Sequence, residues 1–209
     1  QLSTRVQWIA LDLAKQDAPF ALYRFCKGKR VDLLVNNAGF GLFGNLWETD
    51  LQEELELLDV NIRALHILTK LFVKEFRRRN SGILLNVASS AGFLTGPLMA
   101  SYYASKNYVV RLSLALAEEL RRAGSSVSVS VLCPGPVDTN FNNRAGVSFH
   151  VQALDSKTVA RYAIDGALHG KTILVPGLLM KLSLFGARLV PQKLLAAVTY
   201  HIQEQKQKP

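Results

Sequence analysis

The sequence predicts the α/β class, a parallel sheet with helices on both faces. Three observations predict it. Short apolar runs alternate with longer stretches of helical period, which is the pattern of strand–helix–strand units. The runs are nearly continuous in Val, Leu and Ile, as in V-D-L-L-V (31–35) and I-L-L-N-V (83–87), and strands buried on both faces read this way. Polar turns rich in Asn, Gly and Pro follow two of the runs, at 36–39 and 134–136.

The elements follow in order. Residues 5–11 read as a strand, 17–27 as a helix and 31–36 as the next strand. A long helix is expected over 50–79, opening on D-L-Q-E, where Asp50 caps and Glu53 stands at the third helical position. Then come a strand at 82–88, a helix at 100–123 and a strand at 127–132. A helix at 155–168 and a strand at 172–175 close the alternation. The loop 136–149 is polar and contains glycine. Residues 176–202 mix leucines with spaced cations. They read as a helical pair covering a cleft or a dimer contact, with an interfacial helix lying on a membrane as the other reading. A polar tail, 203–209, is expected to fray.

The chain has 209 residues, 49% of them hydrophobic, which suits one domain with a substantial core. Cys26 and Cys133 do not make a disulfide framework. Free thiols in a reducing, cytoplasmic setting are expected. No uncharged apolar run reaches the ~18 residues that a spanning helix needs. The net charge of +9 comes largely from Arg77–Arg79, Arg121–Arg122 and the C-terminal third. Cations at helix C-termini favour the dipole, so a solvated surface explains them without nucleic acid, which would want a basic stripe interleaved with aromatics. His66, His150, His169 and His201 form no metal-ligand spacing, and no metal is expected.

The chemistry gathers elsewhere. Tyr102 and Lys106 stand one helical turn apart in Y-Y-A-S-K, so the phenol and the ammonium share a helix face. A nearby positive charge favours the phenolate. Ser89 ends the apolar run I-L-L-N-V-A-S and offers a hydroxyl to a substrate oxygen. Such a set can move a proton to or from an alcohol while another group moves a hydride. Ser90 and Tyr103 compete for the two roles. Ser89 is preferred for its place relative to Gly92 and Tyr102, and Tyr103 has Asn107 rather than lysine one turn on.

N-N-A-G (36–39), Asn61 in D-V-N-I-R-A, the Ser89–Tyr102–Lys106 set and P-G-P-V-D-T (134–139) occur in one order. Together these blocks resemble the short-chain dehydrogenase/reductase family over about residues 5–180. The resemblance implies a Rossmann-like, doubly wound sheet and an NAD(P)-dependent oxidoreductase. It implies that Tyr102 is the acid/base, Lys106 its partner and a ribose contact, Ser89 the carbonyl-orienting hydroxyl and Asn61 the holder of a relay water. Asn36, Asn37, Ala38 and Gly39 would lie along the cofactor. Pro134, Gly135, Val137 and Thr139 would face its nicotinamide, and Asp12 and Leu13 its adenine. The cofactor is NADP(H) or NAD(H), with a slight preference for NADP(H).

The family's glycine-rich pyrophosphate turn has no counterpart before residue 12, so an N-terminally incomplete domain is expected. G-F-G-L-F-G (39–44) matches G-x-G-x-x-G literally. That fingerprint requires a helix opening within its glycines, and here the helix is expected only near Asp50. Phe93, Leu94, Leu98, Met99 and Phe141 suggest an apolar cleft and a hydrophobic carbonyl or alcohol substrate. A homo-oligomer and some membrane-surface association are also expected. The rival readings are a non-catalytic protein that keeps the fold and a sugar-nucleotide epimerase or dehydratase. P-G-P-V-D-T and the short C-terminal region argue against the latter.

Overall fold

The computed structural model describes residues 5–139, 141 and 153–205. Four strands form one parallel sheet in the order β1-β2-β3-β4. They are β1 (Leu33–Asn36), β2 (Ile83–Val87), β3 (Ser128–Leu132) and β4 (Ile173–Leu174). Side chains alternate across a sheet, and the core divides accordingly. Leu84 and Val129 pack with Leu68, Phe72, Phe76 and Leu120 on one face. Leu85, Leu132 and Leu174 pack with Val159, Ala163 and Ala167 on the other.

The helices supply those partners. On the first face lie α3 (Leu65–Arg78) and α4 (Ala100–Arg122), with α1 (Ala18–Cys26) beside α3. The second face is covered by α5 (Ser156–Leu168), opened by Asp155, whose carboxylate accepts from the Thr158 N–H at 2.8 Å. The C-terminal stretch forms the expected helical pair, α6 (Leu178–Ala187) and α7 (Gln192–Glu204), separated at Pro191.

Three expectations need correction. Residues 5–11 are not a strand but irregular, with Val6 78% and Trp8 81% exposed. A strand is a strand only by its ladder, and β1 is an edge strand with no neighbour on its outer side among the described residues. The helix expected over 50–79 is three segments in series: α2 (Leu51–Leu58), a π-helical stretch at Asp59–Ala64, and α3. Its start is as read, since the Asp50 carboxylate accepts from the Glu53 N–H at 3.0 Å. Finally, the polar tail does not begin at 203. Helix α7 runs through Glu204, and Gln203 is 1% exposed.

Beneath the carboxyl end of β1 runs a buried polar ladder. The Asn36 amide donates to Asn86 Oδ1 at 2.9 Å and to Thr69 Oγ1 at 3.2 Å. Asn86 in turn donates to Ser113 Oγ on α4 at 2.9 Å. The ladder ties β1 and β2 to the two helices behind them.

Candidate active site

Ser89 lies just past β2, where the chain leaves the sheet. Its hydroxyl caps a tight 3-10 turn, Ser90–Phe93, by accepting from the Ala91 N–H at 3.2 Å. Gly92 lets this turn lie against α4. A Cβ there would come within 2.7 Å of the Lys106 carbonyl oxygen and 2.6 Å of Val110 Cγ2. The close approach sets the Ser89 hydroxyl near the Tyr102 phenol, where it favours the ionised form.

Tyr102 and Lys106 are both buried on the inner face of α4. The Lys106 ammonium donates to the Val87 carbonyl at 3.1 Å and stands 5.8 Å from the centre of the Tyr102 ring. Burial pushes the Tyr102 phenol up to about 12, with the Ser89 hydrogen bond pulling the other way. It pushes the Lys106 ammonium down to about 8, with Cys133 nearby working against the shift. The expected lowering of the tyrosine by the lysine is therefore not the dominant effect here. Desolvation disfavours both charges, leaving a neutral phenol, the form that donates a proton.

Asn61 sits in the π-helical stretch and is 1% exposed. Its Oδ1 accepts from the Phe40 N–H at 3.1 Å. Its Nδ2 donates to the Phe40 carbonyl at 2.9 Å and to Ser105 Oγ at 3.0 Å. Ser105 then donates to the Tyr102 carbonyl at 2.7 Å. The Asn61 side chain is thus engaged with protein groups and clamps the loop after β1 to the turn of α4 that carries Tyr102.

These groups face one cavity of about 610 Å³, within the usual range for ligand sites. Asn37, Gly39, Ser89, Tyr102, Lys106, Pro134, Gly135, Val137 and Thr139 all line it. Asn61 stands directly behind Gly39, where a Cβ would lie 3.0 Å from Asn61 Oδ1 and 3.1 Å from Lys106 Nζ. Asp12, Leu13, Asn36 and Ala38 do not line the cavity. Asn36 is committed to the polar ladder, and Asp12 is an exposed residue that accepts from the Ala14 N–H at 3.0 Å. The G-F-G-L-F-G loop opens no helix, because α2 begins only at Leu51. Most of the 136–149 loop lies outside the described residues.

The lining fits the nicotinamide–ribose half of the cofactor that the resemblance implies. A lysine, a phenol and a serine hydroxyl converge where the backbone at Gly39 comes close to them. Apolar groups also line the cavity: Phe40, Ala91, Met99, Phe141 and Val159. Phe141 packs on Tyr102 with ring centroids 5.3 Å apart. Sequence reasoning missed Phe40, Val159 and above all Gln203, which lines the cavity from α7. No local signal marks Gln203, which stands in a polar run.

Comparison with known proteins agrees with this geometry. The short chain dehydrogenase family profile matches residues 1–147. The CLA biosynthesis dehydrogenase/reductase of Lactiplantibacillus plantarum is 35% identical over 113 residues, covering 54% of this chain and 40% of that protein. Estradiol 17-beta-dehydrogenase 11 of Rattus norvegicus is 29% identical over 199 residues, covering 93% of this chain and 66% of that protein. The chain therefore spans between 40% and 66% of the length of these two relatives. Among solved structures, a short-chain dehydrogenase from Sphingobium yanoikuyae in complex with NADPH superposes with a TM-score of 0.74 at 25% identity, covering 85% of this chain and 71% of that one. With a family profile matched over most of its length and with the Ser89, Tyr102 and Lys106 side chains gathered on one cavity, this chain belongs to the short-chain dehydrogenase/reductase family.

Proposed function

We propose that the protein is an NAD(P)-dependent oxidoreductase acting on the carbonyl or alcohol of an apolar small molecule. The observation that carries this is the convergence of Ser89, Tyr102 and Lys106 on a single cavity whose remaining wall is largely apolar. The NADPH in the Sphingobium relative and the steroid alcohol in the name of the rat relative support both halves of the proposal.

The bound nicotinamide would supply or accept the hydride. Lys106, Asn37 and Gly39 would hold its ribose side, with Pro134, Gly135, Val137 and Thr139 against the ring. The protein's own part is the proton and the charge. The Ser89 hydroxyl and the Tyr102 phenol donate hydrogen bonds to the substrate oxygen, where negative charge develops during reduction. Tyr102, held neutral by burial, then gives its proton to that oxygen. Lys106 is the adjacent group able to restore it, its own proton loosened toward neutrality by desolvation. Asn61 serves this reaction by holding the Phe40 loop and α4 in register.

The test is turnover by the complete protein, followed through the absorbance of reduced nicotinamide with a panel of apolar ketones. Tyr102→Phe should lower kcat by about 10²–10⁴-fold while leaving cofactor affinity near that of the parent. A variant with parental kcat would remove the acid role from Tyr102.

The finer surroundings of the protein are also proposals. Residues 1–209 belong to one dinucleotide-binding and catalytic domain, in the cytoplasmic compartment that two unpaired cysteines suit. No helix among the described residues is long and apolar enough to cross a membrane. The outer side of α6 exposes Leu178, Leu179, Leu182 and Phe185, with Lys181 and Arg188 beside them. Such a face supports association with an anionic lipid surface or with a second copy of the chain.

A further inference from the structure

Helix α7 brings one polar group into the cavity that the proton chemistry does not use. Gln203 is 1% exposed and lines the cavity with Tyr103, Met99 and Phe141. Its Nε2 donates to the Tyr103 hydroxyl. Its Oε1 is buried and has no hydrogen-bond partner among the described residues. Folded proteins leave few polar atoms in that condition, because an unmade buried bond is costly.

The group is held in place rather than loosely tucked in. Thr199, one helical turn earlier, donates to the Thr95 carbonyl at 2.6 Å, which pins α7 to the chain just after the Ser90–Phe93 turn. Thr95 Oγ1 donates in turn to Gln192 Oε1 at 3.3 Å. The Tyr103 ring lies on Gly96, where a Cβ would come within 2.2 Å of it. Tyr103 also packs edge-on to Tyr102, with ring centroids 6.0 Å apart. An amide with one free valence is therefore fixed in the wall of the cavity that Ser89 and Tyr102 also line, with the apolar Met99 and Phe141 among its neighbours in that lining.

We propose that the Gln203 amide, seated by Tyr103, is a specificity-determining contact that binds a hydroxyl carried by the substrate away from its reacting carbonyl. The inference rests on the oxidoreductase reading above and names its substrate class, an apolar ketone or alcohol with a second, remote hydroxyl. Phe40, Met99 and Phe141 take the carbon skeleton. A hydroxyl both donates and accepts, so it pairs with the amide whichever way the amide is turned. An analogue without the hydroxyl leaves a buried polar atom unpaired, and sites of this kind discriminate strongly against such analogues.

The experiment uses the complete protein and a graded series of straight-chain methyl ketones, each with and without a terminal hydroxyl. At the matching chain length the hydroxylated ketone should be favoured by roughly tenfold or more in kcat/KM, mostly through KM. In Gln203→Leu that ratio should fall to about one. A double variant, Gln203→Leu with Tyr103→Phe, removes both partners together. Its thermal midpoint should equal or exceed the parent's, since replacing a half-satisfied buried pair by apolar groups is neutral or stabilising. Turnover with no hydroxyl preference at any length would overturn the inference and leave the oxidoreductase reading standing. So would a midpoint several degrees lower in the double variant, which would make the pair structural. Absence of turnover on every ketone would overturn the oxidoreductase reading itself, and this inference with it.

Discussion

Replacing Asn61 by alanine tests whether one side chain holds the loop after β1 against the catalytic helix. Asn61 is 1% exposed and its amide makes three bonds: it accepts from the Phe40 N–H at 3.1 Å and donates to the Phe40 carbonyl at 2.9 Å and to Ser105 Oγ at 3.0 Å. Alanine removes all three. At about 1 kcal/mol net for each neutral bond, the loss is about 3 kcal/mol. Groups left poorly paired raise it toward roughly twice that figure. The loss is a large share of the ~5–15 kcal/mol that keeps a domain folded. Urea unfolding measures it directly. With a slope of about 1–3 kcal/mol per M, the midpoint should fall by about 1–3 M. Ser105→Ala is the control, since it deletes only the bonds to Asn61 and to the Tyr102 carbonyl and should cost about 1–2 kcal/mol. A loss under about 1 kcal/mol for Asn61→Ala would refute the clamp, because it is smaller than a single typical buried bond warrants with two more removed.

Three further outcomes are expected. Gly92→Ala places a Cβ 2.7 Å from the Lys106 carbonyl oxygen. Overpacking of about 1–3 kcal/mol should lower the thermal midpoint by roughly 2–10 °C, and displacement of Ser89 should lower kcat; a variant unchanged in both would remove the close packing from the account. Lys106→Met tests the buried charge. The folded Lys106 value is lowered from 10.5 to about 8, so between those values the unfolded chain binds more protons and the parent gains stability as pH rises. The Cys133 thiol, raised from 9.0 to about 12, acts oppositely above pH 9 but is common to both proteins. The stability difference, parent minus Lys106→Met, should therefore grow from pH 8 toward pH 10 by at most about 1.4 kcal/mol per unit; a difference flat with pH would contradict it. Finally, sedimentation with anionic vesicles should show weak, salt-sensitive association through α6, and strong salt-resistant binding would point to insertion instead.

What the sequence made legible is what local pattern encodes. The buried strands at 83–87 and 128–132, the cap at Asp50, the helix over 156–168 and the turn spacing of Tyr102 and Lys106 are all local, and the structure places them within a residue or two of where they were read. Segment 5–11 has the apolar pattern of a strand, but a strand also needs a neighbour, which no local pattern reports. The π-helical stretch at Asp59–Ala64 looks helical in sequence, and its departure from α geometry accompanies the Asn61 bonds to a loop distant in the chain. Gln203 stands in a run of glutamines and lysines that reads as solvated. Its burial comes from the docking of α7 on Thr95, a contact more than a hundred residues away in sequence. Lys106 and Tyr102 were read as a charge pair, and only their shared burial reveals that desolvation outweighs their attraction.

The Asn36–Asn86 bond has a consequence for how the sheet assembles. A parallel pairing of four residues, drawn from the nearly uniform runs Leu-Leu-Val-Asn and Ile-Leu-Leu-Asn, has little in its apolar side chains to tell one alignment from the next. A shift of one position would exchange the two faces of β1. It would also set Asn36 opposite Leu85 or Val87 and strip a buried amide of its partner, at about 1–3 kcal/mol. The two asparagines therefore work as a key in a slot. They admit one alignment of β1 against β2 and so decide where the loop that follows, with Asn37 and Gly39, emerges over the cavity.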